Sequence, residues 1–179
     1  MKKIILTVFA ASSLLLYSSQ AFALINFSVG IPFSHSFTGN WYDGDAVESD
    51  GTSGMFIQVG VPMFPGVGID NYKTGVKSET TDVELDTTIY NLYYLLPIPV
   101  INLTLGAGVG STTLNCSICS QYFDKGSANQ WYFSVGMPII PLFDLHLSYR
   151  SVSTKIKSKV LPESDFGGNV MGLGMGFNF

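Results

Sequence analysis

The chain has 179 residues, 46% of them apolar and only 12% charged, with 9 Lys and Arg against 13 Asp and Glu. That composition suits one domain of moderate size and excludes a disordered chain or a basic nucleic-acid binder. The mean hydropathy of +0.31 asks for a membrane, yet no apolar run beyond the first residues approaches the ~20 needed for a spanning helix.

The amino terminus reads as an export signal. Lys2 and Lys3 precede an apolar stretch from Ile4 to Leu16, and Ala21-Phe22-Ala23 fits the small-x-small rule for cleavage after Ala23. No cysteine stands at that point, which argues against a lipoprotein. Loss of residues 1–23 from 179 leaves 156, and loss of the two lysines takes the formal charge from −4 to −6. Residues 24–179 then form the mature domain.

From there a period of two runs to the end of the chain, the signature of strands with two unlike faces. Strands are expected at 24–37, 54–62, 66–76, 85–96, 100–114, 129–138, 142–154 and 168–179. In the first, Ile25, Phe27, Val29, Ile31 and Phe33 oppose Asn26, Ser28, Gly30, Pro32 and Ser34. The following loop gathers Asp43, Asp45, Glu48 and Asp50. Their spacing departs from a calcium loop, so a solvated acidic loop is expected and no metal site. The second strand ends at Pro62-Met63-Phe64-Pro65. The third places a polar group awkwardly in either register, which predicts a bulge near Asp70 to Tyr72.

In the fourth strand Asp86 is expected to point inward; Pro97-Ile98-Pro99 follows it. The fifth sets Ile101, Leu103, Leu105, Ala107 and Val109 against Asn102, Thr104 and three glycines. The loop after it holds Cys116 and Cys119, both cysteines of the chain. In an exported protein this pair predicts a local disulfide, since neither a redox helix start nor further zinc ligands accompany it. The sixth strand ends at Pro138-Ile139-Ile140-Pro141. The seventh carries a polar face of Asp144, His146, Ser148 and Arg150, expected to form a hydrogen-bonded cluster inside the fold. Beyond it Lys155, Lys157 and Lys159 repeat on the apolar side, which places them at lipid-headgroup height facing phosphates if the strand continues outward, while a soluble loop explains them equally. The last strand alternates Met171, Leu173, Met175, Phe177 and Phe179 with Gly172, Gly174, Gly176 and Asn178.

A soluble sandwich also alternates, but its polar faces carry more Lys and Glu than these. Aromatic residues cluster near segment ends, as in Trp41-Tyr42, Tyr90, Tyr93-Tyr94, Tyr122-Phe123, Trp131-Tyr132, Phe177 and Phe179, which suits interfacial girdles. Tight proline-bearing links alternate with long polar loops. The fold expected is therefore all-β: an eight-stranded antiparallel up-and-down transmembrane barrel. Glycines 30, 60, 106, 108, 110, 136, 172, 174 and 176 fall on its inner face. They leave a solute-sized cavity or make room for Tyr72, Tyr93, Tyr132, His146 and Arg150; a closed barrel is favoured because small barrels pair small residues with large ones.

The signal peptide, eight alternating segments, proline-bearing turns and terminal Gly-Phe-Asn-Phe179 resemble the small outer-membrane β-barrel superfamily of Gram-negative bacteria, which includes the OmpA transmembrane domain and OmpX. The resemblance is architectural and covers the whole mature chain. It implies an outer-membrane location, lipid and lipopolysaccharide as surroundings, and recognition of Leu173, Met175, Phe177 and Phe179 by the barrel-assembly machinery. His146-Tyr149 is also similar in part to the His-x-Ser pair of lipid A deacylases. In those enzymes His and Ser face lipid and a Glu completes the triad, whereas here both fall on the inner face, Glu163 lies near a loop, and Tyr149 replaces the family's Asn.

The function expected is that of a non-enzymatic barrel without cofactor, serving envelope integrity or surface interaction through its loops, with an extracellular ligand that the sequence does not name. A narrow passive channel or a binding barrel for a small solute is the second expectation, and a lipid A-modifying hydrolase the third.

Overall fold

A computed structural model describes residues 25–40, 46–61, 64–77, 83–98, 101–116, 119–140, 142–158 and 164–179. The export signal, Trp41 to Asp45, Lys159 and Glu163 lie outside these residues. Strands β1 (Asn26–Phe37), β2 (Ser49–Gly60), β3 (Gly66–Val76), β4 (Val83–Ile98) and β5 (Ile101–Asn115) come first in the chain. A single helical turn α1 (Cys119–Tyr122), β6 (Gly126–Ile140), β7 (Phe143–Ile156), the two-residue β8 (Ser164–Asp165) and β9 (Gly168–Asn178) follow. Each barrel strand pairs antiparallel with its neighbours in chain order, and β9 closes the ring by pairing with both β7 and β1. Eight strands thus make the closed barrel, with β8 a short addition on the upper end of β7. Closure gives every barrel strand a partner on both sides for at least part of its length, as a lipid-exposed sheet requires.

The alternation in the sequence becomes an inside and an outside. On β5, Ile101 to Val109 face out, while Asn102, Thr104 and Thr112 face in and are buried. That outward apolar run covers about 26 Å of strand, roughly 20 Å of height at a tilt of ~40°. Equivalent runs appear on the other strands: Leu92 and Tyr94 on β4, Phe133, Val135 and Met137 on β6, and Leu173 and Met175 on β9 are all exposed. The result is an apolar belt around the half of the barrel nearest the tight turns.

Above that belt the amphipathicity inverts. Glu84 and Asp86 flank inward Leu85; Thr113 and Asn115 flank inward Leu114; Lys155 and Lys157 flank inward Ile156. Here the outside is charged or polar and the inside aliphatic, as in a water-soluble barrel. Strands β4 to β7, at 14 to 16 residues, are longer than the ~9 to 11 residues of a spanning strand. The surplus length forms this upper storey.

Several sequence expectations are corrected. Asp86 points outward, because the rule that polar residues face in holds only within the belt. The third strand is regular: β3 runs without a register shift against β4, and Asp70 and Tyr72 both point inward and are buried. The awkward polar group is resolved by a partner across the lumen rather than by a bulge. A bulge instead interrupts β1 between Pro32 and Ser34, turning His35 inward and Ser34 out of the inner face. β2 begins at Ser49, not 54, so Asp50 belongs to a strand and Glu48 pairs with Lys77 at 3.1 Å. The aromatic girdle is also only partial. Tyr93 and Tyr132 are buried in the lumen, and Trp131 packs at a tilt against Tyr149 partway up the wall. Phe143, Phe177 and Phe179 do gather at the tight-turn end.

Candidate functional site

The inward side chains of β7 give the order of layers in the lumen: Asp144, His146, Ser148, Arg150, Val152, Thr154, Ile156. They begin at the tight-turn end.

The lowest layer is a polar vestibule. Asp144 Oδ1 lies 3.1 Å from His146 Nδ1, and Asn102 Nδ2 donates to Asp144 Oδ2 at 3.1 Å. Ser28 Oγ lies 3.2 Å from His146 Nε2, and Asn26 Nδ2 donates to Asn178 Oδ1 at 2.7 Å. Asp144 and His146 are two apart on one strand face, so the backbone period alone brings them together; Ser28 arrives from the opposite end of the chain. The Ser28-His146-Asp144 connectivity is that of a nucleophile triad. The space beside it is about 20 Å³, room for about one water and no acyl group. Gly174 and Gly176 lie against the His146 and Asp144 side chains, where a Cβ would collide with them.

Above it sits the waist. Arg150 Nε donates to Asp70 Oδ2 at 2.9 Å, with the two side chains 2% and 0% exposed. Gln130 Nε2 also donates to Asp70 and, at 2.6 Å, to Asn91 Oδ1. Arg150 Nη1 donates to Ser148 Oγ, which donates to the Gly172 carbonyl at 3.1 Å. The guanidinium carbon lies 3.5 Å from the Phe56 ring centroid and 5.0 Å from that of Tyr132, a cation–π contact of ~0.5–2 kcal/mol. Gln58 Nε2 donates to Tyr132 Oη at 2.8 Å. Buried charges need this density of partners, since an ion without them costs several kcal/mol.

Higher still, Phe56, Tyr72, Ile89, Ala128, Val152 and Val170 form an apolar layer. A threonine ring follows, in which Thr87 and Thr112 hydroxyls are 2.9 Å apart and His35 Nδ1 is 2.9 Å from Thr74 Oγ1. The top is a second apolar cluster of Val47, Val76, Leu85, Leu114, Ile156 and Phe166, joined by Cys119. Val47, just before β2, and Phe166, between β8 and β9, lie outside the strands and close the top of this cluster. The disulfide between Cys116 and Cys119 is present, and Cys119 is buried in this cap, so the clip fastens α1 against the mouth rather than decorating a free loop. A four-residue ring restrains the unfolded chain little, about 2 kcal/mol. The double variant Cys116→Ser, Cys119→Ser is therefore expected to lower stability to urea by no more than that, while speeding amide exchange in α1; an unchanged exchange rate would refute the role in the cap.

The four polar residues expected on the inner face of β7 fall in two separate layers. Asp144 and His146 belong to the vestibule, Ser148 and Arg150 to the waist, and Ser148 donates to the Gly172 carbonyl while His146 meets Ser28 and Asp144. Sequence reasoning missed Asp70, Gln130 and Asn91, whose inward parity was the available signal, and it missed the cap. The inner-face glycines make room for large neighbours: Gly66 accommodates Tyr93 and Gly106 accommodates Tyr132. Lys155 and Lys157 are exposed on the outer side. Leu173, Met175 and Phe177 face outward on β9, and Phe179 exchanges backbone hydrogen bonds with Ile25 at 2.9 and 3.0 Å.

No family model matches the chain, and no curated protein matches it. Among solved structures, Neisserial surface protein A (NspA) superposes with a TM-score of 0.62 at 13% identity, covering 87% of this chain and 96% of that one. The outer membrane protein OprG from Pseudomonas aeruginosa gives 0.56 at 13% identity, covering 88% and 96%. At such identities the likeness concerns the fold. With its closed ring of eight antiparallel strands and outward apolar belt, the chain has the fold of the small outer-membrane β-barrels.

Proposed function

We propose that the chain is a closed outer-membrane barrel, exported with a signal cleaved after Ala23, whose upper storey and loops serve envelope integrity or surface interaction without catalysing a reaction. The observation that carries this reading is the occlusion of the lumen at two heights, by the Asp70–Arg150 waist and by the apolar cap around Ile156 and Phe166. The apolar belt supports a bilayer around the lower half and water around the upper. The tight turns then face the periplasm, and the storey with inverted amphipathicity stands outside the cell. Lys155, Lys157 and Lys159 would meet lipopolysaccharide phosphates just above the belt. Leu173, Met175, Phe177 and Phe179 would be read by the barrel-assembly machinery before the ring closes.

Refolded mature protein, verified by heat-modifiable gel migration, is expected to be silent in planar bilayers. Discrete and reproducible conductance steps would overturn the closed reading in favour of a solute passage.

A further inference from the structure

The wall is not uniformly zipped. β1 and β2 pair in only five consecutive rungs, from Asn26↔Gly60 to Gly30↔Phe56, whereas β1 pairs with β9 along its whole length to Phe37↔Gly168. The two strands meet again at the isolated bridge Asn40↔Ala46. Residue numbers of partners sum to the same value at both places, so the extra residue that each strand carries in this stretch balances the other, and Ile31 to Phe37 and Ser49 to Met55 face one another without a ladder. Local causes converge there. Pro32 has no N–H to donate, and β1 bulges between Pro32 and Ser34. β2 shifts register against β3 between Ser49 and Thr52. Gly51 and Gly54 have φ of +91° and +141°, the region open to glycine and costly for other residues. Gly54 stands on the inward parity of β2 yet is exposed, while Phe56 and Gln58 on the same face are buried.

At the foot of this interruption the outer surface carries a groove of about 340 Å³, lined by Val29, Ile31, Met55, Ile57, Leu173 and Met175 among other apolar groups. It starts where the last rungs stand and lies within the apolar belt. Above it, past outward Phe33 on β1 and Met171 on β9, the outward residues turn polar: Ser36 on β1, Ser53 on β2 and Asn169 on β9. The site is therefore amphipathic in the vertical sense, an apolar slot below and polar side chains with unladdered backbone amides above.

We propose that this β1–β2 seam is a fixed lipid site, in which one acyl chain of an outer-leaflet lipid fills the groove and the lipid's acyl carbonyls meet the backbone N–H groups that the missing rungs leave between the strands. A backbone group within lipid must find a partner, and an acyl lipid offers carbonyl acceptors at the height where its chain begins. The proposal rests on the membrane reading above.

The test uses mature protein in phosphatidylethanolamine and phosphatidylglycerol vesicles doped with a phospholipid carrying a diazirine in one acyl chain. After illumination, adducts are mapped by mass spectrometry. Adducts on Met55, Ile57, Leu173 and Met175 are expected at least fivefold above those on Leu92, Leu105 and Phe133 of the other walls. Ile57→Trp should bring them down to the level of the other walls without loss of heat-modifiable migration, whereas Leu105→Trp should leave the enrichment intact. Even labelling around the belt would overturn the lipid site and leave the membrane reading standing. Absence of adducts on every wall would overturn both. Efficient disulfide cross-linking of Met55→Cys between two chains would assign the groove to a second copy instead.

Discussion

Replacing Arg150 with Met is expected to lower the stability of the refolded barrel by about 3–5 kcal/mol, the usual cost of stranding one member of a buried ion pair. Asp70 is wholly buried, and among the described residues Arg150 is its cationic partner. Without it, the carboxylate would keep the Gln130 hydrogen bond and lose its counter-charge. The double variant Asp70→Asn, Arg150→Met should recover most of the loss, because a neutral pair of similar volume escapes the desolvation penalty. Urea titration of folded protein in vesicles, followed by the heat-modifiable gel shift, gives both values. A single variant as stable as the parent would show that the waist is solvated, and with it the occlusion argument would fall.

The second large effect concerns the cap. Phe166 is 1% exposed and sits among Val47, Leu114 and Ile156, so Phe166→Ala should cost about 3–5 kcal/mol through lost burial and the cavity left behind. At the same height on the outer surface, Lys155→Leu should change stability by no more than about 0.5 kcal/mol. The contrast tests the inverted storey directly. In a spanning segment facing lipid, the added leucine would stabilise and the inward phenylalanine would matter less. Equal effects from the two variants would refute the assignment of water to the outside and a dry core to the inside at this level.

The two variants also separate what closes the lumen. Arg150 acts at the waist within the belt, and Phe166 acts above it. Conductance appearing in one variant alone would identify the layer that seals the barrel.

Much of this architecture could be read in the residues. The strict alternation of the last strand, Met171 to Phe179, leaves one face for lipid and one for the lumen whatever its neighbours do, since side chains in a strand alternate by geometry. The proline-bearing links lie close to the tight turns, although Pro97 and Pro138 themselves pair within β4 and β6. The Cys116–Cys119 pair followed from the proximity of two cysteines in an exported chain. Pairing of large with small residues inside the lumen was also legible, because Tyr93 and Tyr132 share parity with the glycines they oppose.

The errors share one cause. Parity tells which residues face the same way, but the meaning of a face depends on the solvent beside it. The inward expectation for Asp86 rests on polar residues facing in within the belt, and that rule reverses where lipid gives way to water. The bulge expected at Asp70 had the same origin, since a carboxylate looks misplaced until its partner is known.

Composition, period and turn residues thus determined by themselves that the chain forms a barrel and which residues share a face, because these depend on local backbone geometry. Only the tertiary structure decided that Asp70 meets Arg150, that Ser28 meets His146, that Val47 and Phe166 cap the mouth, and that β1 and β2 part above Gly30. Those contacts join residues remote in sequence, and strand register, set by closure of the ring as a whole, determines which of them come within reach.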